Sequence, residues 1–284
     1  MTDFLTQLVV WLNALANAVG GVLLAPIAVL PGWLSATLAG TISGVTLLAV
    51  FKYTSNQAAI KRVKDEIKAN LLALKLFKEN ASVVLNAQLA ILLAAVRLAA
   101  FAILPMLVMV MPVLLVLGQL SLWYQSRPLK VGEDAVVTLK VGAGKAPANL
   151  AHNYVRLDPL EAIDVAVGPV HVPSEQQVCW RITARQPGRH RLKFRVGDFM
   201  SEKELAVGDR FMRVSSLRPA WNCGEALLYP AEKPFDRASP VQSIAVDYPQ
   251  RSSWTTGAGS WVVYWFAVSM VSGFAFRRVL NVNM

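Results

Sequence analysis

The sequence predicts an α-helical membrane protein with an inserted antiparallel β-sandwich, and three observations carry that expectation. The run from Trp33 to Tyr53, WLSATLAGTISGVTLLAVFKY, holds about 19 uncharged residues in a row; at 1.5 Å per residue such a helix crosses a ~30 Å hydrocarbon core. Only 16% of the 284 residues are charged, against about 25% in soluble domains, and the apolar residues concentrate in 4–52, 82–124 and 258–276. After Pro128 the helical period gives way to short alternating stretches rich in β-branched residues. The chain therefore divides into an interfacial helix and linker (1–32); a first span, helical hairpin and second span (33–126); a β-sandwich (127–215); an irregular tail and linker (216–257); and a last span with its tail (258–284).

Within 3–19, Phe4, Leu5, Leu8, Trp11, Leu12, Leu15 and Val19 form one stripe, while Thr6, Gln7, Asn13 and Asn17 fall largely opposite. That is the period of an amphipathic helix lying in the membrane interface, with Gly20–Gly21 expected to break it and Pro26 and Pro31 to punctuate the apolar stretch before Trp33. A full crossing over 4–30 is the competing reading; Asn13 and Asn17 would be costly in lipid. Asp3 and the lack of Lys or Arg at the start leave no positive n-region for a signal peptide.

The first span runs into KYTSNQAAIKRVKDEIK, and this lysine density assigns its end to the cytoplasm. Ser55 or Asn56 can cap a helix reaching about Asn80. Ile60, Val63, Ile67, Leu74 and Phe77 then form a heptad seam with Asn70 at one core position, and Lys61, Lys64, Lys68, Lys75 and Lys78 lie off it. Such a helix packs on its sequence neighbour and can also meet anionic lipid or an acidic partner. From Ala81 the chain is apolar for over 40 residues, too long for one crossing. Asn86, Gln88 and Arg97 mark a return helix, and Leu98–Tyr124 the crossing, where Pro105 and Pro112 should kink or unwind the backbone. Trp123 and Tyr124 suit an aromatic belt. The net charge of +10 sits largely beside these segments and comes with no stacking motif or Gly-rich loop, so it points to orientation and headgroups, not to nucleic acid.

The succession PGW at 31–33, KYTS at 52–55 and LPMLVMVMP at 104–112 resembles the YidC/Oxa membrane-insertase superfamily, in its smaller three-span form, over roughly residues 30–124. The resemblance implies a role in placing hydrophobic segments into the bilayer through a half-buried polar groove. Bacterial members place an arginine in the first span, whereas 34–51 here is uncharged, and larger members have further spans. The groove candidates are Thr41, Ser43 and Thr46 with Gln119. Hydroxyls in spans are also commonly satisfied by their own helix or by helix packing.

In the polar region, VVTLKV (136–141), IDVAV (163–167), VCWRITAR (178–185), HRLKFRV (190–196) and KELAV (203–207) read as strands of an Ig-like or fibronectin-like sandwich. Gln186-Pro187-Gly188-Arg189 suits a type II turn closing a hairpin. One face of that hairpin would carry Val178, Trp180, Ile182, Leu192, Phe194 and Val196. The other would carry Arg181, Arg185, Arg191, Lys193 and Arg195, either solvated and balanced by Glu175, Glu202 or Glu204, or docked on anionic headgroups or an acidic partner. Cys179 and Cys223 could pair as a disulfide or stay as two buried thiols. Residues 214–257 hold one good strand, Ser243–Val246. The segment 259–276 is the last span, with Trp261 and Tyr264 as a belt and Arg277–Arg278 as a cytoplasmic stop. Parity and charge then agree that the sandwich is extracytoplasmic and the chain a multi-pass protein of the cell inner (cytoplasmic) membrane.

His152, His171 and His190 fall in no metal-ligand spacing, and Asp158, Glu161 and Asp164 match no calcium loop. No nucleophile elbow, Walker or dinucleotide pattern is present, so neither an enzyme nor a cofactor is expected. Two functions fit. One is an insertase-like protein guiding hydrophobic segments, with the bilayer and membrane-protein clients as partners. The other is an anchored adaptor whose sandwich docks an envelope protein. Client identity and oligomeric state are open at this level.

Overall fold

The computed structural model describes residues 2–27, 30–142, 154–253, 255–256 and 259–282. It resolves into two compact units, Met1–Ala39 with Leu114–Tyr264, and Gly40–Val113 with Trp265–Met284. His152 lies outside the described residues.

Six α-helices are described: α1 (Thr2–Ile27), α2 (Gly32–Thr54), α3 (Gln57–Leu76), α4 (Ala81–Tyr124), α5 (Cys223–Leu228) and α6 (Ser260–Phe276). Among the described residues three helices are long and apolar enough to cross a membrane: α1 over Asp3–Val22, α2, and α4; the apolar α6 is shorter, at 17 residues. Asn56 caps α3, its side chain accepting from the Ala59 N–H at 3.0 Å. Ile60 and Val63 of the predicted seam are buried, whereas Asn70 donates to its own helix at Glu66 O (2.9 Å). An Arg97–Glu66 ion pair (3.8 Å) links α3 to α4.

At both places where the sequence suggests an interruption the helical backbone continues. α1 runs through Gly20–Gly21, because a glycine costs a helix only about 1 kcal/mol. α4 continues as one helix of 44 residues through both Pro105 and Pro112. Each proline removes one backbone donor, a local loss that a long, strongly apolar helix can absorb.

The β region comprises β1 (Asp134–Val141), β2 (Val155–Leu157), β3 (Ile163–Val172), β4 (Gln177–Ala184), β5 (Gly188–Val196), β6 (Phe199–Val207), β7 (Leu217–Arg218) and β8 (Val241–Val246). They form a five-stranded sheet, β3-β4-β1-β8-β7, and a three-stranded sheet, β2-β5-β6; the pairings are antiparallel. Alternation along β1, β4 and β5 sends every second residue into one core shared by both sheets, as the period-2 pattern requires.

Two expectations are corrected by the strand pairing. β4 and β5 are not a hairpin: β4 pairs with β1 and β3, and β5 with β2 and β6. The Pro187-Gly188 turn, with Gly188 at φ +137°, carries the chain from one sheet to the other. Trp180 and Phe194 therefore meet across the core, ring centroids 5.4 Å apart, instead of lying side by side on one ribbon. The domain also does not end at 215. β8 lies between β1 and β7, and Tyr248 is buried with its hydroxyl accepting from the Ala206 N–H at 2.9 Å.

Candidate functional site

The four groove candidates divide between the two units. In the second unit, Ser43 is buried and accepts from Trp265 Nε1 at 2.7 Å, and Thr41 Oγ1 lies 3.3 Å from Ser272 Oγ; both face α6. Thr46 is exposed and donates to its own helix at Ile42 O (2.8 Å). Gln119 belongs to the first unit and donates to Asn17 of α1 at 3.0 Å. The hydroxyls of Thr41, Ser43 and Thr46 are thus engaged by helix packing and by their own helix.

What joins α2 to α6 is a spacing easily passed over in the sequence, Gly40-x-x-x-Gly44. A Cβ on Gly44 would fall 2.6 Å from Ser269 O, so the two backbones touch there, and one on Gly40 would fall 2.9 Å from Val268 Cγ1, so at Gly40 a side chain of α6 packs against the glycine. Beside this contact α2, α4 and α6 enclose a cleft of about 360 Å³. Its walls are apolar, with Leu47, Phe51, Met109, Val113, Met270 and Phe274 among them, and Gly273 opens into free space. α4 is the least buried of the three long helices.

In the first unit the polar face of α1 is bonded to the β domain. Asn13 Nδ2 donates to Ala226 O (2.6 Å) and Asn17 Nδ2 to Pro230 O (2.7 Å). Asp3 accepts from Trp221 Nε1 (3.1 Å) and pairs with Arg237 (2.9 Å). Asn17 is bonded through both ends of its amide, its Oδ1 accepting from Gln119 and Arg213, whereas Asn13 is bonded through Nδ2 and its buried Oδ1 has no partner among the described residues. The opposite stripe is left bare: Phe4 and Trp11 are about 70% exposed, with Leu8, Leu15 and Val19 also open. Arg251 donates to Trp123 O (3.0 Å), and its guanidinium stacks 4.4 Å over Phe211; burial pulls its pKa down to about 10, so it stays charged at neutral pH.

The five cations do not form one face. Arg181 and Arg185 project from the five-stranded sheet, and Arg191, Lys193 and Arg195 from the three-stranded one. Arg185 pairs with Asp164 (2.6 Å), Arg191 with Glu202 (3.4 Å) and Arg195 with Asp158 (3.8 Å), while Lys193 stands in register with Glu202. Acids from the loop considered for calcium thus balance much of this charge, and Glu175 is not among the partners of these three arginines. Cys179 and Cys223 are free thiols: Cys179 sits within β4, 3.7 Å from Thr138 Oγ1, and Cys223 opens α5. His190 donates to Gln186 O at 2.9 Å. Among the described residues no group of three or more His, Cys, Asp or Glu could hold a metal ion.

Entry into the β domain is fixed by Arg127, which grips Glu133 with both Nη atoms (2.8 and 2.7 Å). The Arg127 hydrogen bonds hold the Glu133 carboxyl below its ordinary 4.5, against the opposing pull of burial. A carboxylate with a lowered folded-state pKa stabilises above its unfolded value, and that contribution fades as pH falls through the folded value. Glu133→Gln should therefore flatten the loss of stability below about pH 4.5, read by thermal melts of the full chain across pH 2–7.

No family model matches the chain, and no curated protein and no solved structure matches it.

Proposed function

We propose that this is a multi-pass protein of the inner membrane that guides hydrophobic segments into the bilayer, as its resemblance to small insertases implies. The observation that carries this reading is the apolar cleft among α2, α4 and α6. α2 and α6 are clamped together while α4 stands open beside them, which leaves room for an apolar side chain of a passing segment. Methionines at 109 and 270 suit a site that must accept many sequences, because the thioether is flexible and polarizable. The cleft replaces the polar groove in this reading: the client is held by its apolar face.

Topology follows from flanking charge. Lys52 and the lysines of α3, and Arg277–Arg278 after α6, lie in the cytoplasm, so the β domain is extracytoplasmic. α1 then rests in the outer interface. Its polar face is bonded to the β domain from Asp3 to Asn17, and its bare stripe meets lipid.

The test is a photoreactive residue at Met270, in the cleft, compared with one at Val271, on the exposed side of α6. A nascent single-span substrate should form adducts at Met270, and Gly273→Leu, which fills free space, should cut them several-fold without lowering stability. Equal adducts at both positions, or unchanged integration of small substrates after depletion, would overturn the reading. An adaptor function draws on a different feature, edge strand β3, where Val165, Val167 and Val170 are about half exposed. Loss of a co-purifying envelope protein on depletion, with integration intact, would favour it.

A further inference from the structure

α4 is longer than a crossing needs. Its 44 residues reach about 66 Å, more than twice a ~30 Å hydrocarbon core, and its far end at Trp123 and Tyr124 is buried. About half of the helix, toward Ala81, therefore projects beyond the acyl chains, given the membrane placement proposed for the chain, on which the inference rests. That projecting half is not polar all round. Leu85, Leu89, Leu92 and Val96 follow steps of four, three and four, and each is about 60% exposed. The series continues without a break through Ala99, Ile103, Met106 and Val110, again all exposed. Ala87 and Ala94, which fall on the opposite side of the helix, are buried within the second unit. The intramolecular packing of α4 thus uses one side and leaves a heptad seam uncovered on the other.

Residue types along the seam select an occupant. The positions that begin each three-residue step are Leu89, Val96, Ile103 and Val110, three of them β-branched. The positions that end it are Leu85, Leu92, Ala99 and Met106, where leucine leads. β-Branched residues at the first and leucine at the second favour parallel two-stranded packing. Copies of one chain inserted in one membrane share their orientation, so parallel is the arrangement they bring. Both prolines of α4, Pro105 and Pro112, fall off the seam at the same heptad position.

Area points the same way. A fully exposed aliphatic side chain represents roughly 60–120 Å² at about 25 cal/mol per Å². The seam with flanking Leu93 and Leu107, about 60% exposed, brings roughly 400–700 Å² per helix, or roughly 800–1,400 Å² in all. A stable interface needs about 1,200 Å². The water-exposed half supplies the hydrophobic drive that lipid-embedded helices lack.

We propose that α4 pairs with α4 of a second copy through this seam, giving a parallel dimer joined on the cytoplasmic side. The experiment uses the full chain in lipid nanodiscs and in native membranes, with Cys179→Ser and Cys223→Ser as background. Leu85→Cys, Leu92→Cys and Val96→Cys should form disulfide-linked dimers at least ~10-fold faster than the off-seam Phe101→Cys. Leu92→Lys with Val96→Lys should shift the protein to monomer, with the melting of the β domain unchanged. A wild-type monomer at every protein-to-lipid ratio, or equal cross-linking at Phe101→Cys, would sink the seam. If such a monomer still gives client adducts at Met270, the seam alone falls and the proposed function stands. Adducts abolished by Gly273→Leu with the dimer intact support both.

Discussion

Replacing Lys203 by methionine should lower the apparent melting temperature of the β domain by roughly 10–20 °C, the largest single-site loss of stability expected in this chain. Lys203 is fully buried, yet its ammonium is completely engaged. It donates to Ser215 O (2.6 Å), Ser215 Oγ (2.9 Å) and Glu232 Oε1 (2.5 Å), and Ser215 Oγ also donates to Glu232. Burial drags the lysine pKa down, and the Glu232 carboxylate is the main influence holding it up. Removing one partner of such a pair strands the other charge and costs about 3–5 kcal/mol, whereas replacing both by apolar groups is often neutral. Lys203→Met should therefore be severe, and Lys203→Met with Glu232→Met should recover most of the loss. Chemical denaturation of the full chain, followed by near-UV dichroism of the Trp180–Phe194 pair, measures both. A double variant as unstable as the single would show that shape around Ser215, not charge, sets the stability.

That lysine shows where sequence reasoning reaches and where it stops. Along β6 the inward positions are Ser201, Lys203, Leu205 and Val207, and period-2 alternation puts Lys203 in phase with the two apolar residues. A cation on the buried phase is a legible sign of a buried pair, although reading KELAV simply as a strand passes it by. Its partner, Glu232, is not legible, because nothing local links residue 203 to residue 232. The expected β4–β5 hairpin fails for the same reason. Alternation fixes which side chains of β4 and β5 point inward, and all six apolar ones are buried or nearly so. It carries no information on whether two inward faces lie side by side or opposite each other. β8 is legible as a strand, but its central place between β1 and β7 depends on a pairing about 100 residues away in sequence.

Among the helices, length and charge locate α2 and α3 to within a few residues, since hydrophobic continuity and an Asn cap are local signals. The polar residues of α2 are legible as unusual, but their destination is not. Thr41, Ser43 and Thr46 suggest a groove because hydroxyls in an apolar helix attract notice. The glycines beside them attract less, although Gly40 and Gly44 decide which side of α2 meets α6. Once α2 and α6 pack there, Ser43 is buried against Trp265 and Thr41 is half-buried beside Ser272. A spacing of two small residues four apart is the available signal.

Gly44→Leu should separate α2 from α6 and with it abolish the client binding proposed for the cleft. At Gly44 an added Cβ would stand 2.6 Å from Ser269 O and 2.8 Å from Ser269 Cα, and these are backbone atoms that cannot rotate away. At Gly40 the nearest atom is Val268 Cγ1 at 2.9 Å, which a rotamer change can move, leaving Val268 Cβ at 3.1 Å as a milder clash. Gly273 meets nothing within 4 Å. The order of damage is therefore Gly44→Ala above Gly40→Ala, with Gly273→Ala close to neutral. In the membrane setting proposed for these helices direct packing matters more than in water, because the apolar effect does not drive helices together in lipid. Separation breaks the Trp265–Ser43 hydrogen bond (2.7 Å), so the Trp265 emission should shift in Gly44→Leu. A paired reporter makes the distance explicit: Thr41→Cys with Ser272→Cys, whose oxygens lie 3.3 Å apart in the native chain, should cross-link readily. Cross-linking in the Gly44→Leu background should fall at least about tenfold. If it does not, α2 and α6 are held by contacts other than the glycine pair. If cross-linking falls while Met270 still captures clients, the cleft does not need the clamp, and the proposed binding mode must change.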